Sequence, residues 1–328
     1  MTYSSGGLIQ ASDYNTFATS LGNIWGTGTG DQGWGQTAIS SVSANGVVTA
    51  TNWSTLVANL ATSGSQTSTT ITSRTAPVAG NVISILANVA TDITSCTTNR
   101  GNATSSGTQY GTFTGTTSKT TATGSGQAAW TITFTHTVTF PSANQARYFW
   151  NAGGLVRLQY GKSSTGTDAD PDWNTLAGWC GSIYISGRVN SAAQTIAGVS
   201  YTGTTRIGGT GGTQTTLATT TGWYQLTASP ATVFQLTNST APYTGEFIRT
   251  TATATSSTVL TLVTTWVSDG SSGAGTTANI SGGTAVASPA TSIGAATAPT
   301  TLVTYLPPST AQGLSDSWGT PTIAASVA

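Results

Sequence analysis

The chain has 328 residues, of which only 9 Lys and Arg and 9 Asp and Glu carry formal charge, for a net charge of zero beside a single His. A soluble chain of this length ordinarily carries about 80 charged side chains, so hydroxyl groups must wet this surface, and about a fifth of the residues are Thr. Ten Trp, ten Tyr and seven Phe provide core anchors that a disordered chain lacks, while the neutral balance excludes a dedicated nucleic-acid binder and the absence of long apolar runs excludes membrane insertion.

At the N-terminus, Met1-Thr2-Tyr3-Ser4-Ser5 shows no basic segment ahead of an apolar one, so no signal peptide is expected. The stretch Gly7 to Phe17 then matches Gly46 to Leu56 in kind at every position, and Leu21 falls on Leu60, an internal repeat with an offset of 39 residues. Each copy predicts a short extended run, an N-cap at Ser12 or Thr51, and a helix. The apolar stripes are Tyr14, Phe17 and Leu21 in the first and Trp53, Leu56 and Leu60 in the second. Val82, Ile85, Leu86, Val89 and Ile93 follow helical spacing and predict another helix. Residues 1–102 therefore read as a small helical domain, with Tyr14, Phe17, Trp25, Trp53 and Leu56 as candidate anchoring and packing residues.

Near residue 103 the composition shifts and the period becomes two. Ile132, Phe134, His136, Val138 and Phe140 alternate with five threonines, which predicts a strand with one apolar face and one hydroxyl face. Pro141 ends it, and Ser142 with Gln145 forms a capping box for a short helix through Phe149. Strands are expected at 155–160 and around Ile183 and Ile185. Between them Asp170 and Pro171 start a short helix ending at Gly178, where Asp172 to Ala177 echoes the repeat a third time. Further strands are expected at 223–226, 233–236, 247–255 and 259–267, the last apolar on both faces and so central. Residues 271–328 form a tail of low complexity with possible final strands at 300–306 and 317–323, expected to order against a neighbour. The fold class is α+β: the helical domain, a β-rich antiparallel sandwich-like body over 103–270 with short helices, and the tail.

Few residues suggest chemistry. Gly28 to Gly33 fits GxGxxG but precedes Trp34-Gly35 rather than a helix, so it reads as a loop. Gly161-Lys162-Ser163 ends like a P-loop, yet Val156 stands where the first Gly belongs. His136, on an apolar strand face, reads as a core residue, which disfavours a His-dependent hydrolase. Asp168, Asp170 and Asp172 have a spacing that could face a hard cation. The remainder of a calcium loop is missing, since Trp173 and Trp179 occupy the Gly and Glu positions, and helix capping is the plainer reading. Cys96 and Cys180 form no CxxC and read as buried thiols. Trp150, Trp173, Trp179, Trp223, Tyr224, Tyr243 and Trp266 read first as core, with Trp223 and Tyr224 the candidate glycan contacts if exposed. No cofactor and no enzymatic activity are expected.

Three segments carry a resemblance: Ala11-Ser12-Asp13-Tyr14-Asn15, then Ile24-Trp25-Gly26-Thr27-Gly28-Thr29-Gly30-Asp31-Gln32-Gly33-Trp34-Gly35-Gln36, and Ala146-Arg147-Tyr148-Phe149-Trp150-Asn151-Ala152-Gly153-Gly154. In this order they resemble structural proteins of tailed-bacteriophage virions, in particular fibre-like proteins of marine and cyanobacterial phages, and the third is the most specific. The resemblance implies a non-enzymatic component of the tail, neck or baseplate, an appendage or fibre that docks through its N-terminal domain and joins other virion proteins. It implies a homotrimer, made in the host cytoplasm and located in the virion. A receptor-binding fibre holding host-surface polysaccharide and a capsid decoration protein are the alternatives; a secreted adhesin would need an export signal.

Overall fold

The computed structural model describes residues 10–78, 88–103, 116–118, 121–123, 130–162, 169–187, 194–196, 199–241, 243–268, 290–292 and 299–328. The first part holds three helices, α1 (Ala11–Trp25), α2 (Ala50–Gln66) and α3 (Val89–Thr98), and a 3-10 turn at Arg100–Asn102. The internal repeat is visible in their caps. At α1 the Gln10 backbone N–H donates to Asp13 Oδ2 (3.3 Å), and at α2 the Thr49 backbone N–H donates to Asn52 Oδ1 (2.9 Å). Gln10 lies over Thr49 and Asp13 over Asn52 in the same 39-residue alignment. Both caps sit two residues before Ser12 and Thr51, because the third helical side chain reaches back and draws those residues into the first turn. The two stripes then meet: Tyr14 and Trp53, equivalent in the repeat, pack edge to face with centroids 5.3 Å apart. The helix expected to run unbroken from Val82 to Ile93 instead starts at Val89, because Asn88 before it takes left-handed backbone at φ 61° and cannot continue a helix; Val82, Ile85 and Leu86 lie outside the described residues.

The remainder builds short strands β1 (Thr116–Ser118) and β2 (Thr121–Thr123), the long β3 (Trp130–Thr139), α4 (Ala143–Asn151), β4 (Leu155–Gly161), α5 (Ala169–Cys180) and β5 (Ser182–Ile185). A hairpin of β6 (Gln194–Ile196) and β7 (Val199–Tyr201) precedes β8 (Thr204–Ile207) and β9 (Thr213–Leu217). Next come β10 (Ala231–Thr237), β11 (Phe247–Ser256), β12 (Val259–Ser268), β13 (Ala290–Ser292), β14 (Thr300–Leu306) and β15 (Thr322–Val327). They form a five-stranded sheet, β1-β14-β4-β5-β8, and an eight-stranded sheet, β13-β2-β3-β12-β11-β10-β9 with β15 also on β3. The pairings are antiparallel, so the architecture is α+β with a β-rich body.

Strand β3 buries Ile132, Phe134, His136 and Val138, with Phe140 buried just past its end, and turns its threonines outward, as the alternation predicts. Strand β12 is central in pairing, between β3 and β11, but not buried on both faces: Leu260, Leu262 and Trp266 point to the core while Val259, Val263 and Val267 stay half exposed. Residues 223–225 form a 3-10 turn instead of a strand, since the Trp223 ring is drawn onto Trp150 and Gln225 Oε1 accepts from the Gly222 N–H (3.1 Å). The last strand starts at Thr322 rather than 317, because Asp316 Oδ1 folds the chain back by accepting from the N–H groups of Trp318 (3.2 Å) and Gly319 (3.0 Å). Helix α5 begins at Ala169, ahead of the expected cap, and runs past Gly178 to Cys180. Residues 300–306 and 322–327 order against the chain's own β4 and β3.

One hydrophobic cluster runs from Tyr14 and Trp53 through Phe149, Trp173 and Trp266 to Trp318. The boundary expected at residue 102 thus falls between elements that share a core. Cys96 and Cys180 are both buried and free, and burial pushes the Cys96 thiol up to about 11 and the Cys180 thiol up as well. We predict that neither reacts with a disulfide reagent at pH 8 in the native state and both do once unfolded. Because the Cys96 pKa is raised on folding, its contribution to stability is complete below pH about 9 and fades as pH rises toward about 11; denaturant midpoints across that range check the sign.

Candidate functional site

The most densely tied site in the described structure is the loop that follows α1. The Gly-rich run from Gly26 to Gln36 turns through left-handed backbone at Gly28 and Gly33, with φ of 50° and 89°. A Cβ at Gly33 would stand 2.2 Å from the Thr27 carbonyl oxygen, so only Gly closes this turn. The loop doubles back on α1, with the Trp34 N–H donating to Ile24 O (2.8 Å) and the Gln36 N–H to Trp25 O (3.0 Å). The carbonyls of Gln32 and Gly33 are spent on a side chain, and no helix follows the glycines, so this geometry is not that of a dinucleotide site.

Its docking surface is α4. Ser142 caps this helix by accepting from the Gln145 N–H (3.2 Å), and the chain leaves it through Gly153 at φ 107°. Asn151, buried at the last turn, donates through Nδ2 to Gln32 O (2.7 Å) and Gly33 O (3.2 Å), and its Oδ1 accepts from the Tyr224 hydroxyl (2.9 Å). Trp34 Nε1 donates to the Asn151 carbonyl (3.1 Å), and Gly35 lies flat against the Tyr148 ring, where a Cβ would come within 2.3 Å. From α2, Gln66 Nε2 reaches Ala152 O (3.0 Å). The C-terminal segment closes the other side: Gln36 Nε2 donates to Ser315 O (2.9 Å), Gln36 Oε1 accepts from the Ser315 N–H (2.7 Å), and Ser317 donates to Trp34 O.

Aromatic rings fill the space behind. Phe149 and Trp150 meet at 5.0 Å edge to face, Trp150 and Trp223 stack at 5.5 Å with 16° between planes, and Phe140 touches all three. Trp223 is therefore inside the core with one face committed, and Tyr224 is half buried with its hydroxyl held by Asn151 and the Gly30 carbonyl. Tyr14, Phe17, Trp25, Trp53 and Leu56 are all buried and pack the helical layer internally. Asp168 lies outside the described residues, as do the side chains of Asp170 and Asp172. Among the described residues no three His, Cys, Asp or Glu side chains are grouped closely enough to hold a metal ion, and no helix is long and apolar enough to cross a membrane.

Two ion pairs brace the helical layer, Arg74 with Asp92 (2.5 Å) and Arg100 with Asp31 (2.8 Å). The first is buried and borders a groove of about 410 Å³ between α2 and residues 68–74, lined by Val57, Ala61, Gly64, Ile71 and hydroxyl side chains. Arg74 is already committed there to Asp92 and to Thr72 O (2.9 Å), so the groove presents hydroxyls and small apolar groups rather than an available charge. Motif reading passed over Asn151 and Gln36, because a single amide in a low-charge chain carries no spacing signal.

Compared with protein-family models, with curated proteins and with solved structures, the chain has no match in any of the three. What the site does is therefore read from its own geometry: it fastens three distant parts of the chain, the loop after α1, the end of α4 and residues 315–317. Replacing Asn151 by Ala strands the Gln32 and Gly33 carbonyls and leaves the Tyr224 hydroxyl with the Gly30 carbonyl alone, and should cost about 2–4 kcal/mol of stability. Gly35→Ala should cost a comparable amount through its positive φ and the Tyr148 clash. Denaturant unfolding of both variants reads the effect, and a loss below about 0.5 kcal/mol in both would contradict this role for the loop.

Proposed function

We propose that the chain is a non-enzymatic structural component of a tailed-phage virion, an appendage of the tail, neck or baseplate that docks on the particle through its helical layer and assembles with copies of itself, three being the number the resemblance implies. The observation that carries the reading is the convergence of the resembling segments. Residues 24–36 and 146–154, over a hundred residues apart in sequence, clasp one another through Trp34, Gly35, Asn151 and Tyr148, so the parts that look virion-like are those on which the architecture turns. A surface wetted by hydroxyls, with 18 formal charges in the whole chain, agrees with a scaffold better than with a centre built to polarise a substrate.

Docking through the helical layer has to use its outer side. The anchoring candidates Tyr14, Phe17 and Trp53 are packed against one another, whereas Ser12, Thr16, Thr19 and Asn23 form an exposed polar stripe along α1. In this reading the stripe faces the particle. Mass spectrometry of purified particles of the encoding phage should find the chain at fixed stoichiometry, and the double variant Thr16→Lys with Asn23→Lys should lower its incorporation at least tenfold with unchanged circular dichroism. Particles free of the chain would overturn the virion reading; full incorporation of the variant would overturn docking through α1.

A further inference from the structure

The two sheets treat their outer faces differently. On the outer side of the five-stranded sheet, Leu155 and Tyr184 join Leu306 and Tyr201 in a second small core against the β6–β7 hairpin, with Val199 and Ile207 packed on it. The eight-stranded sheet has its packed side within, where Trp266 meets Trp173 of α5. Along the outer side of β3 and β12 no side chain is buried.

Pairing registers define that outer side. Thr131 lies beside Val267 and Phe247, Thr133 beside Thr265 and Arg249, Thr135 beside Val263 and Thr251, and Thr137 beside Thr261 and Thr253. Strand β15 extends the rows, with Ala324 beside Thr137 and Ser326 beside Thr135. Across β3, β9, β10, β11, β12 and β15 the only residue with a formal charge is Arg249, and its guanidinium lies over the Phe247 ring at 5.5 Å.

We propose that copies of this chain meet through this outer face of the eight-stranded sheet. Two physical arguments select a second copy as the occupant. The first is charge: a neutral face brought against itself meets no repulsion and strips no ion of water, whereas a charged partner would lose hydration and find only Arg249 in return. The second is area. Ten-residue strands at about 3.3 Å per residue and about 4.8 Å apart make a face of roughly 450 Å² over β3, β12 and β11 and nearer 650 Å² with the shorter β10 and β15, which approaches the roughly 800 Å² per partner of a stable interface. Threonine methyls and Val259, Val263 and Val267 supply contacts, and threonine hydroxyls bond across. Strand β15, Thr322–Val327, holds neither charge nor Pro. The inference deepens the self-assembly part of the proposed function, and its test involves no particle, so the two can fail separately.

The test is the native mass by light scattering during size exclusion at micromolar concentration, for the full chain and three variants. The wild type should elute at two or more times the chain mass of 32.9 kDa. Val263→Lys and Thr135→Lys, at opposed outer positions of β12 and β3, should each elute as monomers with wild-type circular dichroism. Thr16→Lys, on the helical layer, should keep the wild-type mass. If one sheet variant fails to fold, the other still reads the interface. A monomeric wild type, an unchanged mass in the folded sheet variants, or dissociation caused by Thr16→Lys instead would each overturn the proposal.

Discussion

The structure depends on where one carboxamide is held. Asn151 ends α4 with its side chain buried, and its amide is divided between two carbonyls of the loop 26–36 and the hydroxyl of Tyr224. Buried polar groups of this kind fix position more sharply than apolar contacts do, because any shift leaves a donor or acceptor unpaired. The loop can reach Asn151 only because its glycines take left-handed backbone and let it press against Tyr148. Once there it brings Trp34 and Gln36 to the C-terminal segment, so α1, α4 and residues 315–317 become neighbours through one turn of chain.

A chain with so few charges has to satisfy its polar groups by other means, and threonine does much of this work. On the helices, Thr16, Thr94, Thr97 and Thr98 return their hydroxyls to carbonyls four residues back, which keeps the exposed faces polar without ions. Between the sheets, Tyr160, Thr250 and Thr264 form a buried chain of hydroxyls with 2.8 Å links, tying β4 to β11 and β12. Burial raises the Tyr160 pKa, which keeps that hydroxyl protonated and able to donate. On the outer face of β3 the same residue type stays exposed or half exposed within the single chain. One side chain thus serves the surface, the helix and the inter-sheet contact, which is why composition alone points to a hydroxyl-wetted fold and not to which threonine does what.

Periodic features were legible in the sequence. The alternation around Phe134 named β3 and its buried face, the repeat named α1 and α2 with their stripes, and Ser142 with Gln145 named the start of α4. Failures came where a tertiary contact outweighed local pattern. Residues 223–225 have strand composition but coil under the pull of Trp150, and β12 looks buried on both sides because valine is also a good outer strand residue. The latch itself was half legible. Its glycines and aromatics stand out in the sequence, but the pairing of Gln32 and Gly33 with Asn151 spans more than a hundred residues and leaves no periodic trace. The aromatic rings read as candidate glycan contacts carried no mark of exposure either, and Trp223 lies within the core.

Whether this latch makes the helical layer and the sheets one cooperative unit is most directly read by native-state hydrogen exchange under increasing denaturant. The slowest amides of α1 and α2 should open with the same free energy as those of β3 and β12, in a single global event. Exchange of the helical amides through a lower-energy opening, with β3 and β12 still protected, would contradict it and make the helical layer a separable unit resting on the sheets.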